Sequence, residues 1–253
     1  MTSPIQPGAE PFSAAGGPDG VLVLHGFTGN PGSLRGLAEA FAAAGHAVEL
    51  PLLPGHGTAV EDMLTTGWAD WSAEAERVYQ ELAGRCRQVA VAGLSMGGTL
   101  STWLAARHSE IVGLVVVNPM IDPPAEAFLE TLRAVLASGT PVIPGIGSDI
   151  ALPGTSEGAY EGTPVEPLLS FFEALSEVTP RLGDVKCPAL IFTSTQDHVV
   201  PPVSSDVLAA GVAGPVERVR LDRSYHVATL DYDRAEIEAT AVEWVAKVFA
   251  ADS

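Results

Sequence analysis

Positive charge is scarce in this 253-residue chain. Thirteen Lys plus Arg stand against thirty-one Asp plus Glu, a formal net charge of −18, and only Lys186 and Lys247 are lysines. So acidic a surface repels phosphate backbones and anionic headgroups, so nucleic acid is not expected as a partner. Anionic substrates are disfavoured for the same reason. Cysteine is nearly absent too. Cys86 and Cys187 each precede an expected buried strand and read as reduced thiols rather than a disulfide framework. Without clustered histidines they make no zinc site, so no metal is expected. No run of about eighteen apolar residues occurs, which excludes stable membrane insertion by a helix. Residues 1–20 lack the basic cluster and apolar core of a secretory leader, leaving a cytoplasmic protein as the expectation. No dinucleotide Gly-x-Gly-x-x-Gly and no Walker pattern is found, so no cofactor is implied. There are no internal repeats.

What is present is apolar bulk: 47% hydrophobic residues with 17% charged. The length suits one α/β domain spanning residues 1–253 with a substantial core. Short apolar runs predict strands at Val21–Leu24, Ala47–Leu50, 88–92, Ile111–Val117, 188–193 and 215–221. Helical spacing predicts helices after Ser33, taken as a cap, and over 68–82, 98–108, 201–210 and 234–249. Strand and helix alternate, which argues for a mostly parallel sheet with helices on both faces. The rhythm breaks between strands 111–117 and 188–193. Helices are expected at 125–137 and 167–178, but no convincing strand, and residues 139–164 are rich in Gly and Pro. An apolar, weakly regular stretch of this length is read as a small cap over a binding pocket, residues 119–184.

The most informative stretch is Gly93-Leu94-Ser95-Met96-Gly97, lying between a β-branched run and a helical one. Strand, Gly-x-Ser-x-Gly, helix is the context of a nucleophile elbow, although an ordinary strand-to-helix turn would share the glycines. A serine hydroxyl needs a base to take its proton, and the base needs an orienting carboxylate. The last two strands end in Ser194-Thr195-Gln196-Asp197-His198 and Asp222-Arg223-Ser224-Tyr225-His226. In a parallel sheet those ends share a rim with Ser95. The order Ser95, Asp197, His226 is that expected of such a fold. Asp122 is the alternative acid, and Asp222 reads as a turn residue. Among the other histidines, His46 and His108 sit at element ends, His198 adjoins Asp197, and His25 and His56 lie in tight turns. A developing oxyanion requires two backbone N–H donors, assigned to Met96 and Phe27. Only the Phe27 backbone is needed for that, so its ring can wall an apolar pocket.

Several segments together carry a resemblance. They are His25-Gly26-Phe27-Thr28-Gly29, Pro54-Gly55-His56-Gly57, Trp68-Ala69-Asp70-Trp71, Ala92-Gly93-Leu94-Ser95-Met96-Gly97-Gly98, the stretch from Gln196 to Pro202, and Ser224-Tyr225-His226-Val227-Ala228-Thr229-Leu230-Asp231. From Val21 to Phe249 the chain resembles the bacterial carboxylesterases and monoacylglycerol lipases of the α/β-hydrolase superfamily. The resemblance implies an α/β-hydrolase fold and Ser95, Asp197 and His226 as a catalytic triad, with Phe27 and Met96 as oxyanion donors. It also implies a small-molecule ester substrate with an apolar acyl chain. Other Ser-His-Asp reactions (C–C bond cleavage, amide hydrolysis, acyl transfer) and a non-catalytic binding domain on the same scaffold remain open alternatives.

Overall fold

The computed structural model describes residues 3–251; the two residues at each end of the expected unit lie outside the described residues. The chain begins with a short edge strand, β1 (Phe12–Ala14), followed by β2 (Asp19–Leu24), α1 (Arg35–Ala43) and β3 (Ala47–Leu50). Then come α2 (Val60–Met63), α3 (Trp68–Ala83), β4 (Gln88–Leu94), α4 (Met96–Arg107) and β5 (Ile111–Val117). The segment after β5 contributes α5 (Glu126–Ala137), β6 (Val142–Pro144), β7 (Gly162–Pro164) and α6 (Val165–Val178). Strand β8 (Ala189–Ser194), α7 (Val203–Gly211), β9 (Val216–Leu221) and α8 (Arg234–Ala251) complete the order.

Seven strands form one sheet in the order β1-β3-β2-β4-β5-β8-β9. All pairings are parallel except β1 with β3. This is the mostly parallel sheet with helices on both faces expected from the alternating pattern. The continuous apolar strands follow from burial on both sides. Val21, Val23, Val115 and Val117 pack against Phe41 of α1 and Trp244 and Val245 of α8. Their neighbours Leu22, Leu24, Leu114 and Val116 face the other way, onto a layer with Trp71 and Tyr79 of α3 and Leu100 of α4.

The three-residue edge strand β1 lies outside the strands expected from the sequence. Two expectations are corrected. Ser33 does not cap α1: Asn30 caps a one-turn 3-10 helix at Pro31–Leu34, its Oδ1 accepting from Gly32 N at 2.8 Å, and α1 starts at Arg35. Residues 118–184 do contain strands: β6 and β7 pair antiparallel, Val142 opposite Pro164. Each is three residues long and ends in proline, a residue confined to strand ends and edges because it cannot donate to a ladder. Helices α5 and α6 join through a small cluster of their own, Leu129, Leu132, Val165 and Leu169.

Candidate active site

Strand β4 leads straight into α4, and Ser95 occupies the single residue between them. Its backbone is held at φ 55° and ψ −119°, a region that costs a non-glycine residue on the order of 1–3 kcal/mol. The flanking glycines explain how the turn closes. A Cβ on Gly93 would collide with the carbonyl of Gly97, and one on Gly97 with the carbonyl of Leu24. Ser95 N donates to Val117 O at 3.1 Å, anchoring the turn to β5. The serine side chain is left at the cavity wall above the N-terminus of α4.

The parallel pairing of β8 with β9 brings the loops after both strands to this rim. There His226 Nδ1 and Asp197 Oδ2 are 2.7 Å apart, with side-chain exposures of 8% and 2%. The other Asp197 oxygen accepts from Val199 N at 2.8 Å and Val200 N at 2.7 Å. The carboxylate is thereby fixed, Nδ1 is the protonated nitrogen facing it, and Nε2 is left as the acceptor. Burial disfavours a charged imidazole. The hydrogen bond and charge of Asp197, aided by the charges of the Glu157 and Asp149 carboxylates, outweigh burial and raise the His226 pKa above its ordinary value.

Ser95 and His226 line one cavity of about 480 Å³. Its apolar wall includes Phe27, Met120, Leu168, Phe171 and Phe172. The Phe27 ring stacks on Phe171 at 6.3 Å and meets Trp71 edge-on at 5.7 Å. Among the described residues the N–H groups of Phe27 and Met96 are taken up by no hydrogen bond. Asp122 also reaches the cavity, but the partner of His226 is Asp197. Asp222 pairs instead with Arg220. His198 turns outward to Asp149, and His108 binds Glu76.

His25 and His56 are buried behind the turn that carries Phe27, with ring centroids 5.0 Å apart. Leu53 N donates to His25 Nε2 at 3.1 Å, and His25 Nδ1 lies 3.0 Å from Gly26 O, so the ring ties two loops together in its neutral form. Burial pushes the His25 pKa down to about 4. His56 is lowered well below its ordinary value, by burial first and by His25 second.

Three residues at the rim escaped the reading of the sequence. Asn118, at φ 45°, donates Nδ2 to Ser194 Oγ at 2.9 Å and to His226 O at 2.7 Å, while its Oδ1 accepts from Ser194 N at 2.7 Å. Its place directly after β5 was the signal that could have found it. Asp149 accepts from His226 N at 3.0 Å. Glu157 lines the cavity, and burial raises its pKa to about 7 against the opposing pull of His226. Neither carboxylate had a local signal, since the partners are distant in sequence. Among the described residues no group of three or more His, Cys, Asp and Glu side chains is arranged to hold a metal ion.

A strained serine between strand and helix, with an Asp–His pair on the same rim of a mostly parallel sheet, defines the nucleophile-elbow class of α/β proteins. The chain belongs to the alpha/beta hydrolase family, whose model matches residues 21–240. It is 47% identical over 245 residues to a thermostable monoacylglycerol lipase of Bacillus sp. (strain H-257), covering 96% of this chain and 97% of that protein. A carboxylesterase of Bacillus subtilis (strain 168) is 26% identical over 242 residues, 94% of this chain and 97% of the relative. A solved structure from work on LipS and LipT, two metagenome-derived lipolytic enzymes, superposes with a TM-score of 0.92 at 39% identity, covering 96% of this chain and all of that one.

Proposed function

We propose that this protein is a carboxylic ester hydrolase that works through an acyl-enzyme on Ser95. The observation that carries the reading is that His226, paired with Asp197 at 2.7 Å, lines the same cavity as Ser95. His226 Nε2 takes the Ser95 proton as Oγ attacks the ester carbonyl. The imidazolium that forms is stabilised by Asp197, which keeps its negative charge. The carbonyl oxygen becomes an oxyanion held by the Phe27 and Met96 N–H groups, with the N-terminus of α4 favouring negative charge beside it. His226 returns the proton to the leaving alcohol, then activates a water that releases the acid.

The substrate is a neutral ester with an apolar, short-to-medium acyl chain, monoacylglycerols among the candidates, as the similarity to a monoacylglycerol lipase suggests. The aromatic and aliphatic wall suits such a chain. The carboxylates at the cavity, Glu157, Asp122 and Asp149, oppose an anionic one. Residues 119–184 act as a cap within a single α/β-hydrolase domain. Among the described residues no helix is long and apolar enough to cross a membrane. The acidic surface disfavours nucleic acid and leaves a small molecule as the partner; the location proposed is the cytoplasm. The test is kcat/KM across p-nitrophenyl esters and monoacylglycerols of increasing chain length. Neutral medium-chain esters are expected to lead; a preference for short, charged esters would overturn the substrate reading.

A further inference from the structure

The segment between β5 and β8 does more than cover the cavity. Its residue Asp149 lies far from the loop of His226 in sequence, yet two consecutive N–H groups of that loop end on it. His226 N donates to the Asp149 carboxylate at 3.0 Å, and Val227 N donates to the Asp149 main-chain oxygen at 3.0 Å. The same carboxylate accepts from His198 N at 3.1 Å and pairs with His198 Nδ1 at 2.8 Å. Its side chain is only 10% exposed. The contact is reciprocal: Asp231, just beyond the His226 loop, accepts from Ala151 N at 2.7 Å and Leu152 N at 2.9 Å, and also from Tyr225 N at 2.9 Å.

The His226 peptide is therefore gripped on both sides by side chains from other parts of the fold. Asp149 takes its N–H and Asn118 takes its carbonyl. A hydrogen bond to an ionised acceptor is among the stronger ones, and a displacement of about 1 Å in a catalytic group costs on the order of 10²-fold in rate.

We propose that Asp149 is a positioning residue for His226, so that the catalytic base is in register only while the segment carrying Asp149 is seated against the body. This rests on the reading of His226 as the base. Displacing residues 147–152 takes the anchor away from His226, which couples the covering of the cavity to the assembly of the triad.

The experiment compares Asp149→Ala and Asp149→Asn with wild type on a short, soluble p-nitrophenyl ester, recording kcat, KM and the pH profile of kcat/KM. Asp149→Ala is expected to lower kcat by about 10–100-fold with KM within about 3-fold. The asparagine Oδ1 can still accept both backbone N–H groups while Nδ2 turns to His198 Nδ1, so Asp149→Asn is expected to keep kcat within about 5-fold. The groups facing the His226 ring are the carboxylates of Asp197, Glu157 and Asp149, with His198 on the outer side of Asp149. Removing one negative charge moves the acid limb of the Asn variant to lower pH. Wild-type kcat with an unmoved acid limb in both variants would overturn the proposal, as would a defect confined to KM. Should the Ala variant be recovered unfolded, Asp149→Leu, which keeps the bulk and removes the acceptor, decides in its place: a kcat lowered about 10-fold or more at little-changed KM supports the proposal, and wild-type kcat refutes it. His226→Ala separates the two levels. Retained turnover in that variant defeats the reading of the base, whereas an inactive His226→Ala beside fully normal Asp149 variants defeats only the positioning role.

Discussion

Ser95 and Asp149 line the same cavity, yet the backbone beneath each is fixed by different means. Under Ser95 the turn is dictated locally, by two glycines that alone fit against carbonyls of the fold and by strands apolar on both faces. Under Asp149 there is little core and little regular structure. Residues 145–160 are held by single polar contacts: Asp149 and Asp231 at one end, and Asn30 at the other, whose Nδ2 donates to the carbonyls of Glu157 and Gly158 at 3.1 Å each. Tyr160 adds its N–H to Thr28 O at 3.2 Å and its hydroxyl to Gly55 O at 2.8 Å. The segment thus spans from the turn after β2 to the His226 loop. Where packing fixes a structure many atoms share the work, whereas a polar latch depends on few and loosens when one is removed.

The sharpest contrast comes from Ser95→Ala. It should lower kcat by about 10⁴–10⁶-fold while leaving the circular dichroism spectrum unchanged, because the side chain supports chemistry rather than fold. Gly97→Val should do the reverse of a surgical change. Its side chain would meet the Leu24 carbonyl, so loss of soluble, cooperatively unfolding protein is expected in a thermal melt. In the latched segment, Asp231→Ala should leave a folded protein with kcat reduced by about 10-fold and Tm lowered by a few degrees, since the sheet does not depend on it. A loss of fold as complete as that of Gly97→Val would erase the distinction.

The smallest effect concerns Glu157. Its folded pKa of about 7 lies above the ordinary 4.5. Stability linked to it is therefore fully present below pH 4.5 and lost as pH rises through 7. Glu157→Gln should abolish that loss: its Tm relative to wild type should rise by a few degrees between pH 4.5 and 8, read by differential scanning calorimetry. His25 acts with the opposite sign. Its pKa is depressed to about 4, so the folded state loses stability as pH falls from about 6.5 towards 4, a window that both proteins share.

The same contrast explains what could be read from the sequence. The elbow was legible because glycine spacing and apolar runs are local signals, and the strand ends bearing Asp197 and His226 followed from alternation. Helix α5 and most of α6 showed their apolar faces. The β6–β7 ladder did not, because three-residue strands ending in Pro144 and Pro164 carry no periodicity. Asp149 stood in a Gly- and Pro-rich stretch among other acids, and nothing near it pointed to His226. Only the folding of one segment onto another creates that pair.

The central claim is that Ser95 is a nucleophile activated by His226. It is tested most directly by exposing the protein to a fluorophosphonate and locating the adduct by peptide mass spectrometry. The account predicts a single adduct on Ser95, forming at least about 100-fold more slowly in His226→Ala. An adduct on another residue, or equal rates in the two proteins, would contradict it.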